Sequence, residues 1–154
     1  MMMRINFGEV FPAAMMAMVG MEGAVHTSTL EAPLLELVKI RASQLNGCGY
    51  CLDMHTKDAS AMGIEDQRLH LVAVWKEAPC YSPRERAALA WCESLTVLSD
   101  SDVPDELFER VQGQFSPEEI VALTLAVVAI NGWNRFAVAL RSPVGSYERP
   151  ESAS

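Results

Sequence analysis

The segment from Cys48 to His55 brings two thiols and an imidazole together in the sequence Cys-Gly-Tyr-Cys-Leu-Asp-Met-His. Residues three or four positions apart lie on one face of a helix, so Cys48, Cys51 and His55 would share one stripe. The cysteine spacing can bring the two Cα atoms within the roughly 4.4–6.8 Å that a disulfide requires. A neutral imidazole beside them can accept a thiol proton and then stabilise the thiolate as imidazolium. The segment therefore predicts redox or nucleophilic thiol chemistry.

Both sulfurs are candidates for the reactive thiol. Cys48 follows Asn46-Gly47, which tolerates the left-handed backbone of a helix end, so Cys48 is predicted at or near the N-terminus of the next helix. Unpaired N–H groups and the helix dipole can lower a thiol pKa there from about 8.5 to roughly 3.5–7.5. This argument favours Cys48, whereas the four-residue spacing to His55 favours Cys51. Spacing alone leaves the order of attack open.

A carboxylate on the preceding predicted helix can orient the imidazole. Glu36 lies ten residues before Asn46, or about 15 Å along a helix axis. His55 lies eight residues beyond Gly47, or about 12 Å. If the two helices fold back antiparallel, Glu36 and His55 come level. We therefore predict a Glu36–His55–Cys51 proton relay, in which the glutamate fixes the ring and the imidazole serves the inner thiol.

A zinc site is the alternative for the same side chains. Two cysteines, His55 and Glu36 would supply four ligands. Structural zinc sites usually bring a second ligand pair from a distant loop, whereas His26 and His70 each stand alone. We therefore predict no bound metal and no other cofactor.

Composition limits the possible partners. The 154 residues indicate one domain with its own core. The chain is 50% hydrophobic with a mean hydropathy of +0.11, so we predict that apolar surface is buried between subunits. The net charge of −8 repels phosphate backbones and argues against a nucleic-acid partner. Cys80 and Cys92 are interpreted as packing thiols.

No segment predicts membrane insertion or export. The longest apolar run, Ile120–Ile130, is too short for a membrane span, which needs about 20 residues, and is interpreted as a core or interface helix. Glu9 and Pro12 interrupt the apolar core that a signal peptide would need after Arg4. We therefore expect a cytoplasmic protein, in a compartment that keeps thiols reduced.

Helical periodicity prevails along the chain, and alternating strand patterns are absent. Ser82 and Ser116 each precede a proline and stand three residues before a glutamate, which predicts two capping boxes. Asn131-Gly132 is predicted to break or bend the last helix. The remaining predicted helices are Phe11–Val19, Leu34–Leu45 with Ser28 or Thr29 as its cap, Cys48–Met62, Glu65–Val74, Asp105–Gln114, Ile120–Ile130 and Trp133–Leu140.

These patterns predict an all-α fold, a compact helical bundle with the C-x-x-C at a helix N-terminus. We expect a single helical domain over residues 1–141. Residues 142–154, rich in Pro, Gly and Ser, are predicted to be an extended or mobile C-terminal tail.

The chemistry-bearing residues also carry a family resemblance. In register, they resemble the signature of the AhpD-like alkylhydroperoxidases within the carboxymuconolactone decarboxylase superfamily: Glu36, Ser43, Asn46, Cys48, Tyr50, Cys51 and His55. The resemblance implies an all-α fold that assembles as homotrimers or homohexamers. It also implies an antioxidant peroxidase that uses a hydroperoxide substrate and a thiol reductant.

Residue roles follow from that resemblance. Cys51 would be the peroxidatic cysteine, and Cys48 the more exposed resolving cysteine. His55 and Glu36 would be the proton relay, supported by Ser43, Asn46 and Tyr50. Well-known members have a histidine between the cysteines where this chain has Tyr50, so a second imidazole is missing, although Tyr50 could hydrogen-bond Glu36. The chain is also shorter than the classical enzymes.

Two other functions compete with the peroxidase. A carboxymuconolactone decarboxylase-like, lactone-processing enzyme would need acid–base groups but no second thiol. A non-catalytic redox-sensing oligomer would change its assembly with the state of the dithiol and turn over negligible peroxide.

Overall fold

The fold is all-helical, as predicted. A computed structural model describes residues 2–100 and 102–149, and no strand occurs within those ranges. A 3-10 turn, Val72–Val74, follows the fifth helix. The helices, in chain order, are α1 (Phe7–Val10), α2 (Pro12–His26), α3 (Ala32–Leu45), α4 (Gly49–Ala61), α5 (Asp66–Leu71), α6 (Pro83–Thr96), α7 (Asp105–Gln112) and α8 (Pro117–Leu140).

Helix α3 lies at the centre of the bundle, in contact with α4, α6 and α8. Its apolar residues feed two separate core clusters: Val38 and Ala42 belong to one, and Leu37 and Ile40 to the other. A helix that is apolar on several sides must be enclosed by its neighbours. Polar side chains on α3 are therefore carried into the interior, and Glu36 is one of them.

The turn between α3 and α4 has the predicted geometry. Asn46 caps the end of α3, Gly47 adopts a positive φ of 64°, and Cys48 is the N-cap of α4. The side-chain amide of Asn46 donates to the Oδ1 atoms of Asn131 at 3.0 Å and Asn134 at 2.8 Å. These two hydrogen bonds tie the turn to α8.

The predicted break at Asn131-Gly132 is wrong, because α8 runs without interruption from Pro117 to Leu140. The side-chain amide of Asn131 donates to the Val127 carbonyl at 2.9 Å, one turn back in the same helix. Gly132 serves a close approach, since a Cβ there would lie 2.8 Å from Cε of Met18 on α2. The glycine therefore admits a neighbouring helix and does not end its own.

Helix α8 has the length and apolar composition of a membrane span. It also contacts α2, α3, α4 and α6, and 44% of its most apolar window is buried inside the protein. The core helix of a soluble protein meets the same criteria, which agrees with the interpretation of Ile120–Ile130.

Other helix starts confirm some predictions and correct others. Ser82 and Ser116 both form complete capping boxes. The predicted cap of α3 is wrong, because Glu31 occupies the N-cap position. Ser28 instead donates to the Val25 carbonyl at 2.7 Å, near the end of α2.

Helix α2 continues to His26, beyond the predicted end at Val19, since Gly20 and Gly23 are accommodated within it.

The described part of the C-terminal tail lies across α4. The Tyr147 hydroxyl donates to Oδ1 of Asp58 at 2.9 Å, and Nζ of Lys57 donates to the Tyr147 carbonyl at 2.9 Å. Residues 150–154 of the predicted tail lie outside the described residues. The domain boundary at residue 141 stays a prediction.

The Ser116 capping box gives a test of the fold. Ser116→Ala removes the acceptor for the Glu119 N–H at 3.2 Å and should lower the free energy of unfolding by about 1 kcal/mol. Ser116→Asp keeps a side-chain acceptor and should stay within about 0.5 kcal/mol of the wild type. Urea unfolding measures both, and an equal loss in the two variants would contradict the capping role.

Candidate active site

The cysteine pair is positioned by the start of α4. The Cα atoms of Cys48 and Cys51 are 5.4 Å apart, within the predicted range, and their sulfurs lie at disulfide distance. The backbone N–H of Cys51 donates to Sγ of Cys48 at 3.2 Å. Because the helix N-terminus directs unpaired N–H groups toward Cys48, it stabilises a thiolate there once the pair is reduced.

The expected difference in exposure between the two cysteines is wrong for this chain. Cys48 and Cys51 are each 1% exposed. Val144 of the tail packs over Gly49, where a Cβ would lie 2.9 Å from Cγ2 of the valine. The C-terminal segment therefore contacts the start of α4, and both cysteines are buried, contrary to the greater exposure of Cys48 that the resemblance implied.

Glu36 and His55 meet between α3 and α4, as the antiparallel hairpin predicts. Nδ1 of His55 lies 2.8 Å from Oε2 of Glu36, and each residue is only 6% exposed. An ionised carboxylate can only accept, so Nδ1–H is the donor and Nε2 of the neutral ring carries the free lone pair. In a neutral ring Glu36 therefore fixes one tautomer, which leaves Nε2 able to accept a proton.

Lys39 joins the buried Glu36 to the half-buried Glu22 in a chain of charges that the sequence did not predict. It is 4% exposed, and its Nζ lies 3.6 Å from Oε1 of Glu36 and 3.1 Å from Oε2 of Glu22. Trp133 Nε1 donates to Oε1 of Glu22 at 3.2 Å. The three-residue spacing from Glu36 to Lys39 was the only sequence signal, and it is equally common on exposed helix faces.

The surroundings keep Glu36 ionised. Burial acts to raise its pKa, but the hydrogen bond and charge of His55, together with Lys39, outweigh it and hold the pKa below the ordinary value of 4.5. A buried carboxylate that stays charged is a strong acceptor and a fixed orienting group for the imidazole.

Ser43 and Asn46 support the turn and make no contact with the Glu36–His55 pair in the described hydrogen bonds. The Ser43 carbonyl accepts from the Cys48 N–H at 2.9 Å, and its hydroxyl accepts from Nδ2 of Asn134 at 3.1 Å. Asn134 is 1% exposed and was not anticipated, because it comes from α8. Together these residues hold Cys48 at the helix start.

The expected hydrogen bond between Tyr50 and Glu36 is not among the described contacts. The partners of the Glu36 carboxylate are His55 and Lys39. Adjacent helix positions differ by about 100°, so the position before Cys51 points away from the Cys51–His55 stripe. Tyr50 instead lines the cavities beside the two sulfurs.

Two cavities flank the cysteine pair. Cys51 lines one of about 240 Å³, whose other walls are mainly aromatic or methionine side chains. Its lining includes Phe7, Met15, Tyr50, Met54, Trp133 and Phe136. Cys48 lines a second cavity of about 420 Å³. A more open groove of about 1140 Å³ elsewhere on α4 contains neither sulfur and is not assigned to the thiol chemistry.

Glu36, His55 and Asp58 could also meet at a metal ion, since their ligand atoms lie within 4.8 Å of one another. Two cations already neutralise this group: Lys39 lies beside Glu36, and Nε of Arg149 is 3.3 Å from Oδ1 of Asp58. Like charge from these side chains opposes a divalent cation. The predicted absence of a metal stays a prediction.

The other cysteines lie apart from this site. Cys92 is fully buried on α6, and burial raises the pKa of its thiol to about 12, which makes it inert. Cys80 is exposed in the loop before α6. Cys92 is thus a packing thiol, as predicted, whereas the same prediction for Cys80 is wrong because Cys80 is exposed.

Sequence comparison places the chain in a known family. Residues 11–94, more than half of the chain, match the sequence model of the carboxymuconolactone decarboxylase family. The chain belongs to this family. The uncharacterised protein YdfG of Bacillus subtilis strain 168, one relative, is 40% identical over 146 residues, which cover 95% of this chain and 99% of YdfG.

Solved structures show an AhpD-like member of the carboxymuconolactone decarboxylase superfamily. A protein of unknown function from Agrobacterium tumefaciens, described as a candidate antioxidant defence protein AhpD, is 42% identical with a TM-score of 0.89, covering 92% of this chain and 97% of that one. A variant of the debrominase Bmp8 bound to 2,3,4-tribromopyrrole has a TM-score of 0.80 at 18% identity, covering 90% and 74%. The second likeness concerns the fold alone.

The Glu36 contact predicts how stability depends on pH. Because the pKa of Glu36 is lower in the folded chain than its ordinary value of 4.5, its stabilising effect is complete above that value and is lost as the pH falls through the lower folded value. Glu36→Gln should remove this component and flatten the decline below about pH 5, with a loss of about 1–3 kcal/mol at neutral pH. Urea unfolding across pH measures both, and identical acid slopes would contradict the contact.

Lys39 predicts a large stability effect. Lys39→Met should cost about 3–5 kcal/mol, because it removes the cation beside the buried Glu36 carboxylate and the partner of the half-buried Glu22. Lys57→Met is the matched control, since Lys57 pairs with Asp53 at a partly exposed site and should change stability by at most about 1 kcal/mol. Thermal or urea unfolding compares the two, and equal losses would show that Lys39 contributes no more than a surface lysine.

Proposed function

We propose that this protein is a thiol-dependent peroxidase that reduces organic hydroperoxides through a Cys48–Cys51 dithiol/disulfide cycle. One observation carries the proposal: a cysteine pair at a helix N-terminus lies one helical turn from His55, whose Nδ1 is fixed by the ionised Glu36. This arrangement supplies a thiolate, a base and a second thiol within a single hairpin.

The cycle needs only these groups and a thiol donor. The Cys51 thiolate attacks the terminal oxygen of the hydroperoxide, and the O–O bond breaks. Cys51 becomes a sulfenic acid, and the alkoxide takes up one proton and leaves as an alcohol. The Cys48 thiol then attacks that sulfur, a disulfide forms, and water leaves. A thiol reductant returns two electrons and regenerates the dithiol.

The assignment of Cys51 as the attacking sulfur rests on its surroundings. Cys51 precedes His55 by four residues on α4, so the two side chains share one face of the helix. It also lines the apolar cavity of about 240 Å³, which suits the organic part of a hydroperoxide. His55 would take the thiol proton and return it to the leaving alkoxide.

One relative agrees with the antioxidant assignment, and another shows that the fold is not tied to it. The Agrobacterium protein, described as an antioxidant defence candidate, shares 42% of its sequence with this chain. The debrominase Bmp8 shows that the same fold serves a different reaction. The substrate class therefore rests on the residues of this chain and not on the fold.

We further propose that the chain works as a homotrimer or homohexamer in the cytoplasm. Apolar side chains stand exposed on α2 and α8, where Met16 is 73% exposed, Val121 70% and Val128 52%. Covering such side chains with a second copy would bury apolar surface that water otherwise contacts.

Cysteine variants test the peroxidase. Cys51→Ser should abolish turnover of cumene hydroperoxide by the thiol-reduced protein, because serine cannot form the sulfenic acid. Cys48→Ser should allow one equivalent of peroxide to be consumed and leave a trappable sulfenic acid on Cys51. Cys80→Ser, an exposed cysteine outside the site, should behave as wild type. Peroxide consumption and mass spectrometry of the trapped protein give both readouts.

Three results would overturn the proposal. Full peroxidase activity in Cys51→Ser would remove the assigned role. Conversion of a lactone by the Cys48→Ser/Cys51→Ser double variant would favour the decarboxylase-like enzyme. A change in assembly between the reduced and oxidised wild type, with negligible peroxide turnover, would favour the redox-sensing oligomer.

A further inference from the structure

The two sulfurs of the site open onto cavities of different chemistry. The cavity at Cys51 is lined mainly by aromatic and methionine side chains. The cavity at Cys48 is lined by Arg4 and Arg141, and no carboxylate is among its described lining residues. In a chain of net charge −8, a cavity lined by two arginines and a cysteine is a local exception.

Arg4 is fixed at the rim of the Cys48 cavity. Its backbone N–H donates to the Leu140 carbonyl at 2.9 Å, and its Nη1 donates to the Ala139 carbonyl at 3.1 Å. Both acceptors lie in the last turn of α8. These bonds hold the guanidinium next to the end of that helix without neutralising its charge.

Arg141 is the second cation and occupies an unusual position. It is the C-cap of α8 with a φ of 62°, a left-handed conformation that glycine adopts without strain. No carboxylate in the described ranges lies within ion-pair distance of its guanidinium. Arg141 is an arginine at a position that favours glycine, has no carboxylate partner among the described residues and lines the same cavity as Cys48, which points to a role for the side chain.

We propose that the Cys48 cavity binds the carboxylate of a small anionic thiol, and that this thiol reduces the Cys48–Cys51 disulfide by attack on Cys48. The inference rests on the proposed cycle, for which it names the class of reductant. The cavity volume of about 420 Å³ lies within the roughly 300–1,000 Å³ of small-molecule sites. Arg4 and Arg141 supply the donors that pair with a carboxylate.

The reduction balances with two equivalents of the thiol. The thiolate of the first attacks Sγ of Cys48, the Cys48–Cys51 bond breaks, and Cys51 leaves as a thiolate. A second thiolate attacks the reductant sulfur of the mixed disulfide, which releases the disulfide of the reductant and a Cys48 thiolate. The helix N-terminus stabilises that departing thiolate.

Reduction rates of the oxidised full-length chain by three thiols test the proposal without any hydroperoxide. The thiols are 3-mercaptopropionate, 2-mercaptoethanol and cysteamine, which are anionic, neutral and cationic at neutral pH. Alkylation and mass spectrometry follow the loss of the disulfide, and each rate is normalised to thiolate concentration. We expect Arg141→Gln to lower the ratio of the anionic to the neutral rate about fivefold at low salt, with a smaller effect at high salt.

Two further variants separate a local contact from net charge. Arg141→Lys keeps the cation and should retain most of the preference. Arg110→Gln removes the same charge from an exposed site on α7, outside the Cys48 cavity, and should leave the ratio unchanged. Equal ratios in the wild type and Arg141→Gln, or an equal drop in Arg110→Gln, would overturn the inference. Because no peroxide enters the assay, a failed peroxidase would leave this result readable.

Discussion

The hydrogen bond between Nδ1 of His55 and the carboxylate of Glu36 is the contact on which the site depends. It joins α3 to α4 in the interior, where each partner would be costly to bury alone. It fixes the imidazole tautomer, and it requires that the two helices fold back with one register. The Gly47 turn and the cap at Cys48 set that register, so the dithiol and its base are products of a single hairpin.

Burial of this contact has consequences beyond α3 and α4. An ionised Glu36 in the core needs a cation, and Lys39 supplies one while itself depending on Glu22 of α2. Glu22 in turn accepts from Trp133 of α8, a wall of the apolar cavity at Cys51. Charge compensation thus links His55 on α4 to the wall of the Cys51 cavity through residues on α3, α2 and α8. An exposed Glu36–His55 pair would need no buried cation from the same helix and no further partners on α2 and α8.

The cavities beside Cys48 and Cys51 differ in their lining residues, although the two cysteines are equally buried. An aromatic cavity at Cys51 and a cationic one at Cys48 give each sulfur its own approach. In a cycle with an apolar oxidant and a polar reductant, this separation would keep the two from competing for one entrance. Val144 of the tail, which packs over Gly49, shows that the C-terminal segment belongs to this arrangement.

Local patterns in the sequence determined the all-α class, both capping boxes, the turn at Asn46-Gly47 and the level placement of Glu36 and His55. Each depends on neighbours within one helix or one hairpin, where spacing is geometry. Tertiary structure alone decided the burial of Lys39 and Cys48, the hydrogen bonds from the Asn46 amide to Asn131 and Asn134, and the unbroken course of α8 through Gly132. These features join residues far apart in the chain, and their burial and charge partners exist only once the helices have packed.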